Sequence, residues 1–335
     1  MLRRRMLTTA AKAAAAAPAA AGAAASLAGK PTLLKSAAIF GSANALGFGI
    51  SAATGSHLHL DLIGTGVFAV AAVATAGADA RQRCSAGAVA LWAVKLSSFL
   101  FYRALQTQHD GRLTEILSTT SGAAGFWFIS FAWGWVVSLP HTIAAGVPAA
   151  GRPRFGGPFD VLGLGLFAAG LLTETAADYT KWCFKADPAN RGRFCDAGVW
   201  AASQHPNWWE TQLRCSRDAA DLHMCMCMLH DMPLRCRRFG NLALWSGIFL
   251  LNVPTLAADL PAGAGWLRRG ARLLGGAASP LFLLSLFYGQ ATDAIANQAE
   301  LARRRYASDP RYAAYEQRTP LVVPTIASLG RLFGR

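Results

Sequence analysis

The segment Ser203-Gln-His-Pro-Asn-Trp-Trp209 follows a run of charged and amide residues: Glu174, Asp178, Lys181, Lys185, Asp187, Asn190, Arg191 and Arg193. The whole set lies between two apolar stretches. Charged side chains collected beside a bilayer are costly, so they are expected to hold something polar. The bases between 181 and 193 supply what phosphate groups need, Lys as a point charge and Arg as a planar fork of donors. Glu174, near the end of an apolar stretch, and Tyr102 are the candidate acids on burial grounds. No Gly-x-Gly-x-x-Gly follows a strand, so a dinucleotide would not sit on a Rossmann frame. Simpler roles exist for several of these residues. His205, ahead of Pro206, fits a helix cap, and Trp208 and Trp209 fit interfacial anchors. Lys95 suits snorkelling to the membrane surface, and His141, after Pro140, suits a polar helix-packing group.

The elements that must position these groups are apolar. The chain has 335 residues, of which 53% are hydrophobic and only 15% charged, where soluble proteins carry about a quarter. Apolar runs near 34–53, 61–78, 86–102, 124–146, 156–176, 240–257 and 274–296 approach the roughly 20 residues that cross a bilayer as helix. The second and fifth are rich in Gly and Ala, which suits close packing in lipid. The pattern predicts an all-α fold, a polytopic membrane helical bundle of about seven transmembrane helices. The net charge of +14 does not imply nucleic acid, because no aromatic-studded basic module or finger spacing is present. The bases fall beside apolar spans, where they orient helices and meet anionic headgroups of membrane lipids.

The first acid in the chain is Asp61. Residues 1–33 are Arg-bearing, Ala-rich and acid-free, the composition of an organellar transit peptide, or else of a disordered basic tail. With seven spans, and leaving aside segment 210–239, one side receives 13 Lys and Arg from the loops after the first, third and fifth spans and the C-terminal tail, a number the other side equals only if the six bases at the N-terminus are kept. The other side's loops receive seven: Arg81, Arg83, Arg152, Arg154, Arg268, Arg269 and Arg272. Cleavage of the tail would place the 177–209 loop and the C-terminus together on the positive side. A chloroplast or mitochondrial membrane is therefore expected rather than the endoplasmic reticulum. The membrane domain is bounded at 34–325, with 326–335 a tail.

The texture breaks at 210–239. Four of the seven Cys (Cys215, Cys225, Cys227, Cys236) and four of the six Met fall there. His223, Cys225, Cys227, His230 and Cys236 are metal-ligand types, but Cys-x-Cys is not the spacing of a zinc knuckle, so no metal is expected. A disulfide framework would need an oxidising compartment. The segment reads as an inserted loop or translated non-coding sequence. Its deletion would join Trp209 directly to Gly240-Asn-Leu.

Several linked motifs, from about residue 90 to 325, carry a resemblance. They are Phe99-Leu-Phe-Tyr-Arg103 with His109-Asp-Gly-Arg112, Phe126-Trp-Phe128, Ser138-Leu-Pro140, Asp178-Tyr-Thr-Lys181-Trp-Cys-Phe184, Asn190-Arg-Gly-Arg193, Gly198-Val-Trp200, Ser203–Trp209, and Arg303-Arg-Arg-Tyr306 through Pro310-Arg-Tyr312-Ala-Ala-Tyr315-Glu-Gln-Arg318. In that order they resemble the steroid 5-alpha-reductase-like membrane family of uncharacterised proteins. Two positions depart from its pattern: Gln204 stands where Arg is usual, and the Gly-Glu after the aromatic pair is Gly240-Asn241, displaced by the insertion.

The resemblance implies a membrane oxidoreductase that uses NADPH to reduce a C=C bond of a lipid-soluble, steroid- or isoprenoid-like substrate. On that reading Lys181, Lys185, Arg193 and Arg318 meet phosphates. Asp178, Asn190 and Asn207 meet ribose and nicotinamide, and His205 meets a phosphate or the carboxamide. Tyr312 and Tyr315, with Trp200 and Trp208, provide flat walls. No catalytic group is singled out. Two rivals remain open: an S-adenosylmethionine-dependent membrane methyltransferase, which shares a His-Pro-x-aromatic turn but has little need of a basic cluster, and an inactive membrane scaffold.

Overall fold

The computed structural model describes residues 31–107, 117, 119–190, 193–195, 200, 235–258, 266–292, 303–304, 306 and 308–319. The tail to residue 30, His205, Asn207, Trp208 and residues 210–234 of the segment read as an insertion lie outside the described residues. Among these residues the chain is helical and without strands. The main helices are α1 (Thr32–Thr54), α2 (Leu60–Thr75), α3 (Ala80–Thr107), α4 (Thr120–Val137), α5 (Leu139–Ala145), α6 (Pro158–Ala186), α7 (Arg235–Leu256), α8 (Trp266–Thr292) and α9 (Pro310–Arg318).

Among the described residues, a helix covers most of each of the seven expected spans. α1, α3 and α6 are long and apolar enough to cross a membrane, and α4 with α5 forms a fourth such span bent by 56°. α2 and Gly240–Leu256 of α7 are apolar but shorter. The protein is an all-α membrane helical bundle. The bend in the fourth span falls at Ser138, just before Pro140. A proline there has no N–H to continue the ladder, and its ring crowds the preceding turn.

Contacts divide the chain into two units, Met1–Val161 with Ile248–Ser279, and Leu162–Gly247 with Pro280–Arg335. In the first, α1, α2, α3 and α4 pack around a buried aromatic centre. Phe68 meets Phe40, Trp92 and Trp133 edge-on, with centroids 5.0, 5.2 and 5.4 Å apart, the arrangement that ring quadrupoles favour. Gly134 makes room for it, since a Cβ there would lie 2.7 Å from Phe40. Outward-facing Val70, Val73, Leu91, Val94 and Phe128 are exposed, as helices bathed in lipid require.

The same unit buries two polar networks whose partners are too far apart along the chain for a local pattern to pair them. Its charge predicts Arg81 in a loop; in the structure α3 begins at Ala80 and Arg81 is buried. Its Nε donates to Asp160 Oδ1 at 2.7 Å and its NH2 to Asp160 Oδ2 at 2.9 Å. The remaining donors reach the carbonyls of Pro153 and Arg154 and the Thr255 hydroxyl. Asp160 Oδ2 also accepts the N–H groups of Gly156 and Gly157. Burial of this pair is tolerable because the cation and the anion are both saturated with partners.

In the second network Gln82 Nε2 donates to Asn252 Oδ1 at 3.0 Å, and Asn252 Nδ2 donates to Ser85 Oγ at 2.9 Å and to the Ile248 carbonyl at 2.8 Å. His141 joins Ser85 Oγ through Nδ1 at 2.9 Å and the Ala72 carbonyl through Nε2 at 3.0 Å. A carbonyl only accepts, so His141 carries its proton on Nε2 and Nδ1 accepts from the Ser85 hydroxyl. His141 is thus a polar helix-packing group, as its sequence context implied.

Candidate functional site

The charged run read as a loop from residue 177 is helical to Ala186, because α6 continues ten residues beyond the expected end of the fifth span. Glu174, Asp178 and Lys181 therefore recur at intervals of four and three and share one helix face. That face is buried: the three residues are 0%, 6% and 7% exposed.

α7 lies against this face at backbone distance. A Cβ on Gly170 would come 2.5 Å from the Gly240 carbonyl oxygen, and one on Gly240 would come 2.7 Å from the Gly170 carbonyl oxygen. Two turns along, a Cβ on Gly247 would lie 2.5 Å from Phe167 N and 2.6 Å from the Gly163 carbonyl oxygen. Small residues let helices approach this closely in a membrane. The contact sets the register that brings Asn241 Nδ2 within 3.0 Å of Glu174 Oε2. Helix α7 starts at Arg235, five residues ahead of the expected boundary.

Trp200 closes the face from the side. Its Nε1 donates to the Ala177 carbonyl at 3.2 Å, and Lys181 Nζ stands 5.5 Å from its ring centroid, within cation–π range of about 6 Å. Trp200 is itself buried with Ala177 and Cys195, and Phe184 packs against them. The Trp200 carbonyl accepts the Tyr315 hydroxyl at 3.0 Å, which ties α9 to the same assembly.

α9 is short and depends on local signals. Asp309 caps it by accepting the Arg311 N–H at 3.0 Å, and Pro310 opens it with φ preset. Tyr312 and Tyr315, three residues apart, bury their rings with Tyr306 around Phe194, at centroid distances of 5.3, 5.2 and 5.6 Å. Burial, aided by the nearby Glu316 carboxylate and Tyr306, raises the Tyr312 phenol to about 12 against the opposing pull of Arg303. It stays protonated throughout the physiological range.

Asp187 is exposed and Asn190 half-buried in the turn that follows α6. Asp187 gathers the turn after α6, accepting from Ala189 N at 2.9 Å and Asn190 Nδ2 at 3.3 Å. Asn190 Oδ1 in turn accepts Arg193 NH1 at 3.0 Å. Arg193 and Arg318 are exposed. Lys185 lies on α6. The structure thus puts Asp178 and Lys181 on one buried face of α6, sets Lys181 beside Trp200, whose carbonyl holds Tyr315, and pairs Asn190 with Arg193. Asn241 enters as a partner of Glu174 that sequence reading met only as a departure from a pattern. An amide two turns into α7, at the edge of its apolar stretch, is the available signal.

Together these groups set a buried cation beside an aromatic ring, with buried carboxylates one and two turns back along α6. Among the described residues, no three His, Cys, Asp or Glu side chains gather to bind a metal ion. Neither the curated proteins nor the solved structures contain a match to this chain. Residues 47–215, half of the chain, match the family described as protein of unknown function (DUF1295), and the chain belongs to that family.

Proposed function

We propose that this chain is an integral membrane oxidoreductase that reduces a C=C bond of a lipid-soluble, steroid- or isoprenoid-like substrate with NADPH. The observation that carries the reading is the buried ionisable face of α6, with Lys181 beside the Trp200 ring. Intramembrane charges of this kind are retained for a task, since burying them costs several kcal/mol. The resemblance of the linked motifs to the steroid 5-alpha-reductase-like family selects the chemistry.

The residues present fit such a cofactor in kind. Lys181, Arg193 and Arg318 are cationic donors for phosphates, and Asp178 and Asn190 offer acceptors for hydroxyl groups. Tyr315 spends its hydroxyl on Trp200, so its contribution is to fix that residue in place. NADPH, when bound, supplies the hydride. The proton that completes the reduction has to come from an acid, and Glu174 is the most deeply buried carboxylate of this face, oriented by the Asn241 amide. The contact of Gly240 and Asn241 with α6 supports a fold that continues across segment 210–239. The acid-free N-terminal composition supports a chloroplast or mitochondrial membrane.

The test is cofactor binding by the purified full chain in detergent, with and without residues 210–239. Binding of NADPH by either form supports the reductase reading. Binding of S-adenosylmethionine instead would replace it with a methyltransferase, and binding of neither by a folded chain would leave a scaffold.

A further inference from the structure

We propose that the first turns of α8 hold the phosphate headgroup of an anionic membrane lipid through Arg272. Their charge predicts a loop at Arg268, Arg269 and Arg272; in the structure they belong to α8, which starts at Trp266. Arg268 and Arg272, four residues apart, share a face. Arg272 NH2 donates to the carbonyl of Ala258, the buried residue that follows α7. This fixes one corner of the guanidinium. The Nε and NH1 groups of the same side chain are buried and have no hydrogen-bond partner.

A guanidinium enclosed with two unsatisfied donor groups is an expensive arrangement unless an anion completes it. The backbone around it is not free to move away. One turn further on, α8 is seated on its neighbours: a Cβ on Gly275 would lie 2.7 Å from Ile143, and one on Gly276 would lie 2.6 Å from Leu256.

The surroundings indicate that the anion belongs to a lipid. Trp266 and Leu267 are 74% and 66% exposed at the start of the helix. An exposed Trp beside Leu and Arg is the signature of the membrane–water boundary, where indole and aliphatic groups enter the acyl region and bases meet headgroups. Arg268 is exposed on the same side. Phosphate oxygens match a guanidinium with charge-assisted hydrogen bonds, and basic pockets between membrane helices are recognised sites for anionic headgroups. A free phosphate ion offers the same oxygens without acyl chains for Trp266 and Leu267 to meet.

The experiment uses the full chain in vesicles of phosphatidylcholine with or without phosphatidylglycerol, or with inorganic phosphate added. Thermal midpoint and lipid retained per chain, counted by mass spectrometry, are the readouts. Phosphatidylglycerol is expected to raise the midpoint of the wild type, and Arg272→Gln is expected to weaken retention about tenfold, the scale of one charge-assisted hydrogen bond. Arg272→Lys should keep part of the effect. Arg268→Gln, at an exposed position, should fold normally and lose a smaller part. Equal retention by wild type and Arg272→Gln overturns the proposal. If Arg272→Gln fails to fold, unchanged retention by Arg268→Gln overturns it. Equal protection by inorganic phosphate overturns the lipid assignment.

Discussion

Replacing Gly170 by alanine tests whether α6 and α7 meet at backbone distance and thereby set the Glu174–Asn241 register. The added Cβ would stand 2.5 Å from the Gly240 carbonyl oxygen and 2.6 Å from Leu244 N, both backbone atoms, whereas ordinary contact begins at 3.4 Å. The helices must therefore part by roughly 0.9 Å, since backbone has no rotamer to yield. Overpacking of this kind costs about 1–3 kcal/mol, offset in part by the roughly 1 kcal/mol that alanine gains over glycine within a helix. Gly165 provides the control on the same helix, because a Cβ there meets nothing within 4 Å. Thermal unfolding in one detergent should therefore place Gly170→Ala below the wild type and Gly165→Ala at or above it. Parting the helices should also break the 3.0 Å Asn241–Glu174 hydrogen bond and weaken any ligand that depends on this face. Equal stability of Gly170→Ala and Gly165→Ala would refute the close approach, and with it the positioning of Asn241.

Other perturbations report on other parts of the fold. Asp160→Asn removes the charge opposite a fully enclosed Arg81 and should destabilise the protein by about 3–5 kcal/mol, measured by denaturant or thermal unfolding; the double variant Arg81→Met, Asp160→Leu should recover much of that loss. ¹⁵N spectra of His-labelled protein should report His141 protonated on Nε2 with Nδ1 unprotonated, and Asn252→Leu should perturb that signal by removing the donor to Ser85. Tyr312 has a folded value of about 12, above its ordinary 10. Its contribution to stability is full below pH 10 and is lost as pH rises toward 12; an alkaline titration of the thermal midpoint should show this loss in wild type and a smaller one in Tyr312→Phe.

The apolar interiors of the helices were legible because length and composition alone specify a span. Their ends were not. Charge signals a loop when residues are read one at a time, so Arg81, the turns from Asp178 to Lys185, and Arg268 to Arg272 all read as loop although each is helical. Arg81 is helical because Asp160, 79 residues away, neutralises it. The α6 extension exists because Glu174, Asp178 and Lys181 share a face that Trp200 and Asn241 cover. Gln82 and Ser85 find Asn252 at separations of 170 and 167 residues, and no local pattern carries such a pairing. For the candidate site, the structure puts Asp178 and Lys181 three residues apart on one face of α6, a pairing invisible while the segment reads as loop, and the Tyr-x-x-Tyr of α9 is a packing unit around Phe194. The role of Trp200, which links both groups, depends on a backbone carbonyl and has no signature in side-chain sequence.

The most direct measurement is the NADPH dissociation constant of the detergent-purified chain and of Lys181→Met, with S-adenosylmethionine titrated in parallel. If the buried α6 face holds the cofactor, the wild type binds NADPH, and Lys181→Met weakens it by about tenfold or more, the loss of one charged donor, while leaving the helical content unchanged. NADPH affinity identical in the two folded proteins, or binding of S-adenosylmethionine alone, would contradict the assignment.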